Sequence, residues 1–550
     1  MIRFVLLFWL MPACLVAQQA IPTPKVANSP QLVVRPKLVV GVVVDQMRYD
    51  YWYRYYNKYT EGGFKRLLHE GFTCRDHHYH YALTVTAAGH ASVYTGSQPA
   101  IHGIVGNDWY DQRLGKRVYC VEDSSVKAVG TMNAVAGSMS PKNLMVSTIT
   151  DQLRLATNYQ SKTIGIALKD RGAILPAGHT ANGAYWFDSK TGNWITSSFY
   201  RSDLPQWVSA YNGKKRPAEL MKSGWQTLLP TEQYTESTAD DQQYEYKLPG
   251  AQKAVFPYDL AGQLGDVFGV IASTPHGNTI TKEMALEALT HENLGRGEAT
   301  DFLAVSFSSP DYVGHAFGPN SVEEEDIYLR LDRDLADMLT ALDGWVGKGN
   351  YLFFLTADHG VMDVADLWKE HHLPAGRLNI GTINTAIKSA LNTAFGEDDY
   401  IRTAENYQFY LNHEVLRAKK LTVQDVCKVI RDVTRNTEGI AEVVNLHELG
   451  TASLNDYQLT LYKNGTHAKR SGDIQLVIEP GWMAGAIAAS HGGPYAYDTH
   501  IPLLFYGWGV KPGETFERTS VADTAPTLAA LLKILEPSGS VGRVIGILIK

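Results

Sequence analysis

The sequence predicts an α/β protein: a central sheet flanked by helices, with further segments inserted between its core pieces. Two observations carry this. Strand-like apolar runs alternate with helical patterns along the chain. Acidic and imidazole side chains also stand just after several of those runs: LVVGVVVD ends at Asp45, FLAVSFSSPD at Asp311, and YLFFLTADH at Asp358 and His359. Open α/β sheets gather their chemistry beyond the carboxyl ends of the strands, so these distant residues are expected to converge.

Residues 1–17 read as an export signal, with Arg3 as its basic end, an apolar stretch over 4–10 and small residues over 13–17. Cleavage after Ala17 is the first expectation; an acylated Cys14 is the alternative. Either way the protein is expected outside the cytoplasm, periplasmic or secreted. A Pro-rich linker over 18–37 follows. The first core piece, 38–174, holds strands over 38–44 and 163–168 and helices over 64–70 and 144–156. Residues 175–299, rich in Trp, Tyr, Gly and polar residues with weak periodicity, read as a cap built largely of loops. The second core piece, 300–375, has strands over 302–307 and 351–355 around a helix over 322–342. A small α+β insertion over 376–489 shows strands over 407–412, 441–445 and 473–479 and a helix over 423–435. The last core piece, 490–550, carries a strand over 501–506 and a helix over 522–532.

At 550 residues with 45% hydrophobic and 19% charged residues, the chain has ordinary globular composition. Its net charge of -7 offers no basic field for nucleic acid. Beyond the signal no segment approaches the roughly 18 continuous apolar residues of a membrane span. Removal of the signal leaves Cys74, Cys120 and Cys427, an odd set that allows at most one bridge.

Asp45, Asp311, His315, Asp358, His359 and His491, with Thr86 as an added hydroxyl, form the candidate constellation. Taken singly, each Asp is an ordinary helix cap and each His an ordinary loop residue. Together they offer carboxylate oxygen and imidazole nitrogen without thiolate, a donor set for a catalytic zinc-type site with open positions. In S-P-D-Y-V-G-H a loop or first helical turn brings Asp311 and His315 to one ion. In T-A-D-H-G the adjacent Asp358 and His359 share an ion only if the chain turns, as Gly360 permits. The run R-D-H-H-Y-H over 75–80 and the cluster Glu370, His371 and His372 lack matching ligand spacing and read as polar surroundings.

The segment A-L-T-V-T-A-A-G-H around Thr86, followed by T-G-S-Q-P-A-I-H-G-I-V-G-N ending at Asn107, resembles the alkaline phosphatase superfamily. The resemblance is closest to bacterial threonine-nucleophile phosphomonoesterases related to nucleotide pyrophosphatase/phosphodiesterases. It implies an alkaline-phosphatase-like central sheet with inserted cap segments. It also implies one metal site at Asp311, His315 and His491, and another at Asp45, Asp358 and His359 completed by Thr86. Two zinc ions are the implied cofactors, with manganese or iron as alternatives. Thr86 is the implied nucleophile, with Asn107, Lys169 and Arg171 holding the phosphoryl oxygens. The motifs run from 45 to 491 in the family's order.

Two departures bear on this. Ala87 and Ala88 replace an aromatic residue or Gly followed by Pro, and the sulfatase segment C/S-x-P-x-R is absent. The K-x-R pair resembles the feature that separates monoesterases from diesterases. If residues 163–171 are extended, Lys169 and Arg171 face one side and grip a dianion together. The expected reaction is hydrolysis of a small phosphate monoester, releasing inorganic phosphate, through a phosphothreonine. A phosphodiesterase using the same metals, and a metal- or phosphate-binding protein without turnover, are the alternatives.

Overall fold

The computed structural model describes residues 34–263 and 268–549; the expected export signal and most of the linker lie outside them. The main sheet uses, in chain order, β1 (Leu38–Val44), β2 (Phe72–His78), β3 (Thr163–Ala167), β4 (Gly183–Asp188), β5 (Asn193–Ser197), β6 (Asp301–Phe307), β7 (Tyr351–Thr356), β8 (Leu503–Gly507) and β9 (Gly513–Ser520). With the short strand Ala128–Val129 at one edge, the order is β9-β2-β8-β7-β1-β6-β3-β4-β5-edge. Strands β7, β1, β6 and β3 are parallel neighbours at its centre.

All residues of β1, β6 and β7 are buried. A Val-rich run buried on both faces is what a parallel strand under two helical layers requires. The helices that matter to the site are α1 (Thr86–Thr95), α2 (Asp170–Ala177), α3 (Pro275–His291), α4 (Ser309–Phe317), α5 (Val322–Trp345) and α6 (Thr524–Leu532). Helix α5 starts where the Ser321 hydroxyl accepts from the Glu324 N–H, and its first turn carries Glu323, Glu324 and Glu325, the favoured charge at a helix N-terminus.

Three sequence expectations need correction. The helix expected over 144–156 begins only at Ile149, because Thr148 and Asp151 form a reciprocal capping box and residues 141–143 make a 3-10 turn. The strand expected over 163–168 ends at Ala167, so 163–171 is not extended as a shared face for Lys169 and Arg171 required: Lys169 stands at the N-cap position of α2 and Arg171 in its first turn. The segment 175–299 is not one cap: β4 and β5 extend the main sheet, and α3 packs on α5, β3 and β6. Between them, 198–263 is mostly irregular.

Within 376–489, strands Ile401–Glu405, Gln408–Leu411, Ile474–Ile478 and Ile440–Asn445 form a separate four-stranded sheet. Helices Ile380–Phe395 and Val423–Thr434 share a core with it, through Ile387, Leu391, Val426 and Ile430. Cys74, Cys120 and Cys427 are buried and free, so no bridge links them. No described helix is long and apolar enough to cross a membrane.

Because the Thr148 hydroxyl sets the start of its helix, Thr148→Ala should cost about 1 kcal/mol of stability. A denaturant midpoint measurement checks this, and no change would remove the cap from that role.

Candidate active site

The four central parallel strands deliver their chemistry in spatial order. Asp358 and His359 follow β7, Asp45 follows β1, Asp311 and His315 lie on α4 after β6, and Lys169 follows β3. Thr86 opens α1, and His491 comes from the loop before β8. Ligating atoms of Asp45, Asp358 and His359 lie within 4.8 Å of one another, as do those of Asp311, His315 and His491. The His359 and His491 rings stack at 3.5 Å between centroids and join the two groups.

Asp311 and His315 meet because they stand one turn apart on α4, with His315 Nε2 3.2 Å from Asp311 Oδ1. Asp358 and His359 meet because the chain has left the strand at Thr356 and turns; His359 Nε2 is 3.6 Å from Asp358 Oδ2. Each imidazole is held through Nδ1–H, which donates to a backbone carbonyl: His315 to Ala489 at 2.8 Å, His359 to Gly360 at 2.9 Å, His491 to Thr84 at 2.7 Å. A carbonyl only accepts, so the proton is on Nδ1 and the Nε2 lone pair is turned inward, as a metal ligand needs.

Among the described residues Lys169 is the only ammonium between these acids, with Nζ 2.8 Å from Asp45 Oδ2 and 2.5 Å from Asp311 Oδ2. Burial alone would depress its pKa, but Asp311 and Asp45 outweigh it and hold the group charged. Burial, with Asp358 beside it, pushes the Asp45 carboxyl well above the usual range in spite of Lys169. Burial pushes His359 down to about 3, against the pull of Asp358, so the ring is neutral. Asp45 Oδ1, Asp358 Oδ2 and His359 Nε2 are buried without a hydrogen-bond partner. Orphaned polar atoms of this kind are costly, and their oxygen and nitrogen chemistry fits a divalent cation in that group; Asp311, His315 and His491 offer the same donor types.

Thr86 is the first residue of α1, where backbone N–H groups create a positive end. Its Oγ1 accepts from Lys169 Nζ at 3.5 Å. The Asn107 amide oxygen accepts from the Ala87 N–H at 2.9 Å, which brings Asn107 to the same helix end and leaves its NH2 free to donate. Arg171 does not reach the acids. Its guanidinium donates to the Tyr119 hydroxyl at 3.0 Å, and its Nε has no partner. Lys169 Nζ lies 5.0 Å from the Tyr312 ring, at the mouth of the site.

Sequence reasoning missed Gln46. Its backbone N–H donates to Asp358 Oδ1 at 3.1 Å and its side-chain amide to Asp311 Oδ1 at 2.8 Å, so it spans both groups from a left-handed conformation. The only signal was its place next to Asp45. His90, the histidine that closes the A-L-T-V-T-A-A-G-H segment, holds the first turn of α1: its Nδ1–H donates to the Thr86 carbonyl at 2.9 Å and its Nε2 is bonded to the Ser306 hydroxyl at 2.9 Å. Glu324 is also buried with neither oxygen partnered, and was not singled out.

A sequence profile described as type I phosphodiesterase / nucleotide pyrophosphatase matches residues 39–492. Alkaline phosphatase PafA of Elizabethkingia meningoseptica is 48% identical over 520 residues, 94% of this chain and 95% of that protein. A crystal structure of wild-type alkaline phosphatase PafA shares the fold, with a TM-score of 0.92 and 48% identity over 94% of this chain and 100% of that one. A structure of a PafA variant, 47% identical with a TM-score of 0.92 over 94% of this chain and 100% of that one, carries four exchanges. They fall on a threonine, an asparagine, a lysine and an arginine, in the order and at the spacing of Thr86, Asn107, Lys169 and Arg171.

Gly89 shows how tightly α1 is seated: a Cβ there would stand 2.1 Å from the Asp358 carbonyl oxygen and 2.7 Å from its Cβ. Backbone cannot yield cheaply, so Gly89→Ala should displace Asp358. Metal analysis should then find about two divalent ions per wild-type chain and fewer in the variant; equal content would show that this close approach is dispensable.

Proposed function

The chain belongs to the type I phosphodiesterase / nucleotide pyrophosphatase family, and from that premise we propose that it is an alkaline phosphatase, hydrolysing phosphate monoesters through a phosphothreonine at Thr86. The observation that carries this reading is the Thr86 hydroxyl at a helix N-terminus, 3.5 Å from a lysine that itself lies between acids of the two candidate metal groups.

Asp45, Asp358 and His359 would hold one divalent cation beside Thr86, and Asp311, His315 and His491 a second. Zinc suits this donor set best, with manganese or iron accommodated. Two such cations would supply Lewis acidity, lowering the pKa of the hydroxyl and steadying charge on the departing oxygen.

The chain's own residues supply the rest. Thr86 Oγ1 loses its proton and forms the new O–P bond as the ester O–P bond breaks and the alcohol leaves. Water then splits the phosphothreonine, releasing inorganic phosphate and restoring the hydroxyl. The helix N-terminus and the Asn107 NH2 face the non-bridging oxygens, where preorganised donors count most. A monoester dianion carries one more negative oxygen than a diester. Lys169 and Arg171, from the corner between β3 and α2, provide the matching positive charge, with Arg171 turning from Tyr119 toward the phosphoryl group. The export signal expected over residues 1–17 supports a site of action outside the cytoplasm.

Lys169→Ala and Arg171→Ala should each lower kcat/KM for an aryl phosphate monoester by about 100-fold or more and narrow its lead over the matching diester. An unchanged monoester-to-diester ratio would instead favour the phosphodiesterase reading. Acid-quenched enzyme should carry covalent phosphate in the wild type and none in Thr86→Ala; label retained by the variant would remove Thr86 as nucleophile.

Chelation should abolish turnover, and His491→Ala should lose metal and activity far more than it loses thermal stability. A fully active His491→Ala enzyme would take that residue out of the site.

A further inference from the structure

A second oxygen-rich cluster stands apart from the residues above. One oxygen each of Asp240, Glu245 and Glu323 lies within 4.8 Å of the others. Glu323 is 0% exposed in the first turn of α5, Glu245 is 6% exposed, and Asp240 is half-buried. Asp240 accepts from the N–H groups of Asp241 and Phe256, Glu245 Oε2 accepts from the Gln242 N–H at 2.7 Å, and Glu323 Oε1 accepts from the Tyr258 hydroxyl. Those bonds leave Glu245 Oε1 and Glu323 Oε2 buried with no partner.

Among the described residues no Lys, Arg or His forms an ion pair with any of the three; the nearby Lys253 pairs with Asp241 instead, at 2.9 Å. Burial, together with its acidic neighbours, pushes Glu245 up to about 8 and Glu323 well above the usual glutamate range. Protonation alone is a poor remedy, because a buried carboxylic acid then has an O–H that needs an acceptor, and both free oxygens lack any partner. A cation satisfies all three acids at once. The donors are oxygen only, without imidazole or thiolate, and they combine negative charge with a backbone loop that can adjust; this is calcium chemistry rather than zinc chemistry.

We propose that Asp240, Glu245 and Glu323 bind a structural divalent cation of the calcium class, distinct from the catalytic pair, which clamps the loop over 238–258 onto the start of α5. The loop is already laced to the last turn of α4 and to the segment joining it to α5: the Tyr246 N–H donates to Ala316 O at 2.8 Å and the Thr238 N–H to Asn320 O at 2.7 Å. It also walls a cleft that Glu245 and Tyr246 share with Tyr312 and His315. The clamp therefore braces the helix that carries Asp311 and His315 and fixes one side of the entrance to them.

The test uses the metal-replete enzyme freed of calcium by dialysis. Added CaCl2 should raise Tm by about 3 °C, with MgCl2 doing markedly less. Terbium, a calcium mimic, should luminesce when excited through Tyr258 and Trp225, whose rings are 5.5 Å apart, and calcium should displace it. Glu245→Gln with Glu323→Gln should remove both responses while zinc content stays at the wild-type level. Should that pair fold poorly, Asp240→Asn should weaken calcium at least tenfold by the same luminescence titration. Asp311→Asn should keep the response, which separates it from the catalytic metals. No calcium shift and no displaceable terbium in the wild type, an undiminished response in the Asp240 and glutamate variants, or its loss in Asp311→Asn would each overturn the proposal.

Discussion

Everything at the carboxyl edge of this sheet answers to one constraint, the repulsion among Asp45, Asp311 and Asp358. Two carboxylates roughly 4 Å apart repel by about 4 kcal/mol at an effective dielectric near 20. Three parallel strands and α4 nevertheless press these acids into a buried space with one ammonium, Lys169, between two of them. One ammonium offsets only part of that repulsion, and burial with Asp358 alongside pushes the Asp45 carboxyl up. The arrangement favours further positive charge, and the histidines, held through Nδ1 with Nε2 turned inward, suit the same role. Ligation and phosphoryl transfer thus follow from the same electrostatic deficit: a site short of cations attracts metal ions, and metal ions with Lys169 then attract a dianion.

The scaffold pays for this concentration of charge through rigidity around it. Buried Val, Leu and Phe runs fix the strand ends, and the near-contact of Gly89 with the Asp358 backbone fixes α1 against them. Gln46 ties the two acid groups together with two hydrogen bonds from one residue. On the proposed mechanism, such preorganisation would hold Thr86 in line without the protein having to rearrange as charge develops.

How much of this was legible in the sequence depended on whether a local pattern existed to read. The run at 38–44 announces a doubly covered strand because its periodicity is absent and its residues are β-branched, and the strand has those bounds. The acids after β1, β6 and β7 were legible because strand ends are where α/β chemistry collects. The Lys169 and Arg171 geometry was misread because an apolar run does not say where it stops; the chain turns into α2 after Ala167, so the two side chains leave a corner rather than one face. The strands at 183–197 were taken for cap because edge strands rich in Trp and Tyr lack the apolar run of a central strand. Gln46, and the trio Asp240, Glu245 and Glu323, were invisible: their partners are set by tertiary contact, with no spacing to mark them.

The ligands of the two candidate groups are dealt out along nearly the whole chain, from Asp45 to His491. Consequently the two groups are not completed together: Asp45, Asp358 and His359 all precede residue 360, whereas Asp311 and His315 wait for His491 and for β8 behind it. The second group is therefore the later of the two to form, and a chain cut short just before His491 would keep the complete donor set of one group and lose that of the other.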